Sequence, residues 1–344
     1  MNKQWLEFLR LRGANISDSG VADFGDPVSE RKAVMHGSIM TDLSHLGLIR
    51  ISGDDAANFL QNQLSNDVRR VDAGHSQLNS YCSPKGRMLT VFRLFMMNGD
   101  YYLRAPAGLI DAIIKRLGIF VLMSKVKLED ASDELLRMGV AGPGTSALLA
   151  EHFKDIPTDT ASAVEACGAK VLQVPGNERF EIYAPPVTLQ SLWERFETTL
   201  APVGIDAWPL LDILNGIPNV YPETSEHFIP QMANLQLIDG VSFKKGCYPG
   251  QEVVARMQYL GKLKRSMYRV QSSGNYIPQP GTEVVSNSDG KTHEAGEIVD
   301  ARALPDGGYT ALAVLQTASI DQTLELKDQP GSALQLADLP YSLS

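Results

Sequence analysis

The chain has 344 residues, a formal charge of −9, 44% apolar and 21% charged residues. A domain holds roughly 100–200 residues, so two or three domains are expected, with ample material for buried cores. The negative charge argues against a broadly basic nucleic-acid surface. Three cysteines, Cys82, Cys167 and Cys247, imply no disulfide framework and point to a reducing compartment. No C-x-x-C or H-x-x-x-H spacing occurs, so no intrinsic metal site is expected. The start carries an early acid, and no run approaches ~18 apolar residues. A cytoplasmic protein with no membrane span is expected.

Residues 3–12 read as a short amphipathic helix carrying Trp5, Leu6, Phe8 and Leu9. Residues 13–30, rich in Gly, Ser and Asp, read as a lead-in arm. Leu46 to Ile51 is β-prone. Ser52-Gly53-Asp54-Asp55 then reads as a turn and helix cap, with both acids complementing the helix dipole. The following helix is expected to turn Ala57, Leu60 and Leu64 to one side. Residues 76–82 and 88–97 read as strands joined by Ser83-Pro84-Lys85-Gly86. A strand at Tyr101 to Arg104 and a helix at Leu109 to Leu117 follow.

The next stretch repeats this style without repeating the sequence. Strands are expected at 137–140, 170–174 and 179–183, and helices at 145–153 and 188–199, the last capped by Thr188. Gly142-Pro143-Gly144 lacks both common phosphate-loop spacings and reads as a strand-to-helix turn. His45 has no acid or nucleophile beside it and reads as structural. After Gly261 come short β-rich runs, 267–271, 282–286, 294–299, 309–315 and 323–326, separated by turns such as Gln279-Pro280-Gly281. They suggest a small β-barrel.

The segment 244–265 differs from the rest. Lys244, Lys245, Arg256, Lys262, Lys264 and Arg265 are basic, and only Glu252 is acidic. Cys247 lies inside it. Neighbouring cations and a following helix N-terminus both favour a thiolate. Pro249-Gly250 reads as a turn leading into a helix from Gln251. Gly246 and Gly250 are expected to let the backbone approach a ligand. Cys82 and Cys167 lack such surroundings and read as packing residues.

The string Lys245-Gly246-Cys247-Tyr248-Pro249-Gly250-Gln251-Glu252 resembles the signature of the YgfZ family. Gly216-Ile217-Pro218, Phe228-Ile229-Pro230-Gln231, Ala255-Arg256 and Gly261-Lys262-x-Lys264-Arg265 resemble its flanks. Over roughly residues 38–340 the chain is also similar to the T-protein of the glycine cleavage system, a tetrahydrofolate-dependent aminomethyltransferase. Asp42-Leu43-Ser44-His45, Gly53-Asp54-Asp55-Ala56 with Phe59-Leu60, Asn66-Asp67-Val68 and Phe180-Glu181-Ile182 carry that likeness.

The resemblance implies an α+β, T-protein-like three-part architecture with a C-terminal small β-barrel. The parts expected are a helix and arm over 1–37, a folate-binding region over 38–261 and the barrel over 262–344. The middle region would comprise subdomains of about 38–130 and 131–261. Where the T-protein carries a Gly-Gly-x-x-Asp-Asp run, this chain reads Gly86-Arg87-Met88-Leu89-Thr90-Val91. Its acids are absent at Thr90 and Val91, so ordinary aminomethyl transfer is not expected.

Three functional readings follow. The first is a folate-binding accessory factor for iron–sulfur enzymes or assembly proteins that affects tRNA modification. It would be a monomer without direct nucleic-acid contact. Cys247 would be its working thiolate. Tetrahydrofolate or a derivative would meet Lys245, Gly246, Tyr248, Gly250, Gln251, Glu252, Arg256 and Glu181. The second is a one-carbon transferase using Gln251, Glu252 or Tyr248 for proton transfer. The third is a tRNA- or protein-binding module using the basic segment 244–265.

Overall fold

The computed structural model describes residues 1–344 except Lys262, Asp289, Gly290 and Ser344. The Lys262 member of the basic segment therefore lies outside the described residues. The chain forms two compact units, each assembled from separate stretches. Unit 1 comprises Met1–Phe59, Val68–Gln77 and Arg93–Leu211; unit 2 comprises Leu60–Asp67, Leu78–Phe92 and Asp212–Ser344. No helix among the described residues is long and apolar enough to cross a membrane.

Unit 1 opens with the helix Lys3–Arg10, capped by the Asn2 side chain. Its apolar stripe buries Trp5 and Leu9. Trp5 stands edge-on to Trp193 at 5.5 Å and donates its indole N–H to Asp42 at 2.7 Å. The expected lead-in arm is instead ordered. Strands Asn15–Ser17 and Gly20–Asp23 form a hairpin, and a helix Pro27–His36 follows. The cause is local: Asp26 caps the helix by accepting from Ser29 N–H, and Pro27 sits in its first turn.

A six-stranded sheet follows the order 163–166, 169–173, 180–184, 136–141, 39–42, 201–203. Its face packs on Trp193, Phe196 and Leu189 of the helix Pro186–Phe196. That helix starts at Pro186 with Pro185 as its cap residue, so Thr188 is not the cap. The second sheet of the unit sets strand Asp100–Pro106 beside Leu46–Ser52, flanked by Lys127–Asp130 and the later half of Met88–Met97. Asp54 and Asp55 are both engaged by Lys125, through its ammonium at 3.2 Å and its backbone N–H at 2.8 Å respectively.

In unit 2 the strand Gln77–Cys82 neighbours the first half of Met88–Met97. The unit ends in a closed six-stranded barrel made of Arg265–Ser272, Glu283–Ser288, Lys291–Ala303, Tyr309–Gln316, Thr323–Leu326 and Gln329–Ala337. Closure comes from pairing of the first and last strands, Arg269 opposite Ala337. Val270, Val284, Ile298, Leu315 and Leu324 fill its interior. A second cluster, including Cys82, Val91, Phe228, Val254 and Met267, lies under the signature segment. Along the helix Ala56–Gln63 and just after it, Leu60 and Leu64 are buried as expected, whereas Ala57 is exposed and Ala56 and Phe59 take the inner positions.

Candidate functional site

The signature segment begins with a lysine that faces inward. Lys245 is only 6% exposed. Its ammonium donates to the carbonyls of Gln61 at 2.7 Å, Asn66 at 3.1 Å and Leu64. Carbonyls at the end of a helix lack intrahelical partners, and a cation there also meets the negative end of the helix dipole. Lys245 thus fastens the signature loop to the end of the helix Ala56–Gln63. The receiving segment is itself held: the Asn66 side chain donates to the carbonyls of Leu78 and Asp239, and its backbone N–H donates to the Asn79 side-chain oxygen.

Tyr248 is buried, with the Lys245 ammonium 5.2 Å from its ring centroid. Burial pushes its hydroxyl pKa up, and Cys82 adds to the rise. Gly250 has φ +81 and precedes the helix Gln251–Leu260. A Cβ at Gly250 would lie 2.4 Å from the Ser83 carbonyl oxygen and 2.6 Å from Gly86 Cα. The turn Ser83–Gly86 therefore packs directly on Gly250, and only glycine fits. At Gly246 a Cβ would meet nothing within 4 Å, so no neighbour in the chain demands glycine there.

Between these fixed points Cys247 is exposed. Glu252 and Arg256 pair across one helical turn at 2.8 Å, both well exposed, so the pair contributes little stability. Arg265 pairs with Glu294 at 2.6 Å. The basic collar expected around Cys247 is accordingly divided. Lys245 is committed to carbonyls and two arginines to carboxylates, while Lys244 and Lys264 are exposed.

The other cysteines differ from each other. Cys82 is buried, and burial pushes its thiol up to about 12, with only a weak opposing contact from the Ser80 hydroxyl at 3.6 Å. Cys167 is exposed rather than packed: Cys167-Gly168, both at positive φ, form the two-residue turn between strands Ala163–Ala166 and Ala169–Gln173. Among the described residues no group of three or more His, Cys, Asp or Glu is placed to hold a metal. Thr90 and Val91 are both buried; Thr90 donates to the Val91 carbonyl, and Val91 joins the apolar cluster beneath the signature.

Glu181 belongs to unit 1. It is fully buried in the strand Phe180–Ala184. Arg104 and the Trp208 indole donate to one of its oxygens at 2.9 and 3.1 Å, and the Tyr183 hydroxyl donates to the other. Burial raises its pKa, but the guanidiniums of Arg104 and Arg93, the Tyr183 hydrogen bond and Arg179 outweigh burial and hold it below the usual carboxylate range. Arg179 lies over the Trp208 ring at 4.0 Å. Sequence reasoning missed Arg104, Tyr183 and Trp208, as well as the carbonyl clamp over 61–66. Arg104 and Trp208 lie far from Glu181 along the chain, and no local spacing marks them; Tyr183, two residues on, shares its strand face.

The fold belongs to a known class. Residues 23–245 match the GCVT N-terminal domain family. The structure superposes on the glycine cleavage system aminomethyltransferase T from Bartonella henselae with a TM-score of 0.77 at 17% identity, covering 97% of this chain and 96% of that one. The α+β architecture and the C-terminal barrel are thus those of the aminomethyltransferase T fold. Closer in sequence are two proteins named tRNA-modifying protein YgfZ. That of Photobacterium profundum is 34% identical, and that of Colwellia psychrerythraea 32%. Each alignment covers 88% of this chain, and 92% and 93% of those proteins respectively. The chain belongs to the YgfZ family. The GCVT match ends at Lys245, so Cys247 lies just beyond it.

Proposed function

We propose that the chain is a folate-binding accessory protein that supports iron–sulfur enzymes and, through them, tRNA modification. The observation that carries this reading is the Cys247 loop. An exposed thiol sits between Lys245, fastened through its ammonium, and Gly250, which no larger residue can replace. Such a loop presents one sulfur to a partner while its backbone is held. The sulfur would ligate a partner's cluster by donating a lone pair to iron, or attack a partner's disulfide to form a mixed disulfide and release that partner's second sulfur as a thiolate. Its family relatives carry the name tRNA-modifying protein, which favours a tRNA-linked role.

Folate is suggested by the shared aminomethyltransferase T fold. Glu181 is the proposed acceptor for a pterin, which would have to reach a side chain that is fully buried. An ionised carboxylate has about four lone-pair positions, and Arg104, Tyr183 and Trp208 account for three hydrogen bonds to it. The remaining position would accept an N–H of the ring. When bound, folate would supply a one-carbon carrier. Gly246, Tyr248, Gly250, Gln251, Glu252 and Arg256 belong to the same proposal, with Lys245 recast as the anchor of the loop. Aminomethyl transfer is disfavoured, because buried Thr90 and Val91 offer no carboxylate. The reading includes a cytoplasmic monomer.

The test is Cys247→Ala in cells, read by the extent of a tRNA modification made by a cluster-dependent enzyme. Loss of that modification is expected; an unchanged level would sink the thiol role. Tetrahydrofolate at a hundred times its dissociation constant should stabilise the purified chain by about 2.7 kcal/mol. No shift would remove folate from the reading and leave the thiol test standing.

A further inference from the structure

The turn between the strands Gln77–Cys82 and Met88–Met97 brings to the thiol loop a cation that the signature does not contain. Turn and loop both belong to unit 2. The turn is fixed through its backbone. Gly86 N–H donates to the Ser83 carbonyl, and Ser83 N–H donates to the Arg87 carbonyl, each at 2.8 Å. Arg87 fastens its end by donating to the carbonyls of Glu226, at 3.2 Å, and His227. Gly86 is pressed against the signature helix as well as against Gly250: a Cβ on it would lie 2.8 Å from the Val253 Cβ. Lys85 stands at the tip of this held turn and is exposed.

The chain bounds how far Lys85 can be from the thiol. Cys247 precedes Gly250 by three residues, Gly250 touches Gly86, and Gly86 follows Lys85. Those steps add to no more than about 20 Å between the Cys247 and Lys85 Cα atoms. The charge around the loop is unbalanced. Lys85, Arg87, Lys244 and Arg256 are exposed there, against the exposed carboxylates of Glu226 and Glu252. Arg256 and Glu252 answer each other, and the buried Lys245 ammonium adds one more positive charge. The chain as a whole carries −9, so this excess of cations is local. A surface of one sign gathers partners of the other and speeds their arrival, and salt screens the effect.

We propose that Lys85, together with Lys244, selects the partner of Cys247, and that this partner is a protein segment carrying carboxylates beside its own sulfur. The inference rests on the thiol reading and adds to it the class of partner. Lys85 has no part in the chemistry; it biases which sulfur arrives. A nucleic acid suits the surface less well. The patch is small, the rest of the chain repels a polyanion, and unmodified RNA offers a thiolate neither sulfur nor iron.

Peptide disulfides test it. Three peptides are used that differ only in whether one cysteine is flanked by Asp, Ser or Lys, with that cysteine carried as a 2-pyridyl disulfide. The Cys247 thiolate attacks the peptide sulfur, a disulfide joins peptide and protein, and the pyridine thiolate leaves and takes up a proton as the coloured thione. The full chain carries Cys167→Ser, which removes the other exposed cysteine; Cys82 is buried. At about 10 mM salt, where the screening length is about 30 Å, the Asp peptide should react about tenfold faster than the Lys peptide, with Ser between them. At about 1 M salt the three rates should converge. Lys85→Glu should reduce the low-salt preference to about twofold or less and leave the Ser peptide within about twofold of its native rate. Equal slowing of all three peptides would mean that Lys85 acts on the thiol rather than on its partner, and overturns the proposal. No preference in the native chain, or a preference untouched by Lys85→Glu, also overturns it. Protection of Cys247 by stoichiometric tRNA would give the surface to nucleic acid and overturn the protein assignment. The thiol reading is judged apart, by Cys247→Ala in cells. Loss of the tRNA modification there, with no peptide preference, sinks this inference alone; an unchanged modification sinks the reading whatever the peptides show.

Discussion

Glu181 in unit 1 and Cys247 in unit 2 are held by opposite means. Glu181 is enclosed, charged and hydrogen-bonded by side chains from elsewhere in its unit. Cys247 is exposed, and what is fixed is the backbone on either side of it. A buried carboxylate gains precision from its partners but makes the fold depend on them. A loop thiol can be removed without disturbing what holds it. The two regions should therefore separate under mutation, one through stability and the other through function.

The largest effect is expected at the carboxylate. Glu181→Leu removes the acceptor from Arg104, Tyr183 and Trp208 and should cost about 3–5 kcal/mol in urea unfolding. The acid dependence has a defined sign. The folded pKa of Glu181 lies below its ordinary value of 4.5, so its contribution is fully present above that value and is lost as pH falls through the folded one. Glu181→Gln should flatten this acid-side loss. An equally steep loss in the variant would show that other carboxylates carry it.

The anchors of the thiol loop come next. Lys245→Met leaves the carbonyls of Gln61, Leu64 and Asn66 without their shared cation, and a cost of about 3 kcal/mol is expected in the same unfolding assay. Gly250→Ala forces a left-handed alanine against the backbone of Ser83 and Gly86 and should cost about 2 kcal/mol. A neutral result for either would mean that the loop is not held as described, and the contrast with Glu181 would lose its basis.

Much of this was legible along the chain, and the misses have local causes. The barrel strands announce themselves through alternating apolar residues between Pro-Gly and Gly-Gly turns. Its last strand, Gln329–Ala337, is mostly exposed and opens on Gln329-Pro330-Gly331, so periodicity does not reveal it. The helix after Asp55 was foreseeable, and Leu60 and Leu64 are buried as expected; Ala56 and Ala57 are indistinguishable by composition, and it is Ala56 that turns inward. Lys245 sits among other cations and reads as surface charge. Its burial depends on carbonyls some 180 residues earlier, and backbone acceptors leave no mark in side-chain pattern. Cys247 was legible because a cysteine between glycines in a basic segment is unusual, whereas the partners of Glu181 come mostly from separate strands and helices.

The smallest expected effect on the fold is the most telling for function. Cys247 is exposed, and no described side chain leans on its sulfur for packing or hydrogen bonding in the way that Cys82 is embedded. Cys247→Ala should therefore change stability by no more than about 0.5 kcal/mol. Alkylation of the native chain should label Cys247 and Cys167 and spare Cys82 until unfolding, since Cys82 is enclosed and its pKa is pushed up to about 12. Quantitative labelling by mass spectrometry checks this directly. Rapid labelling of Cys82 in the native chain would mean that the cluster beneath the signature opens. The loop would then be a mobile cover over a second thiol, and the division between a held backbone and a free sulfur would fail.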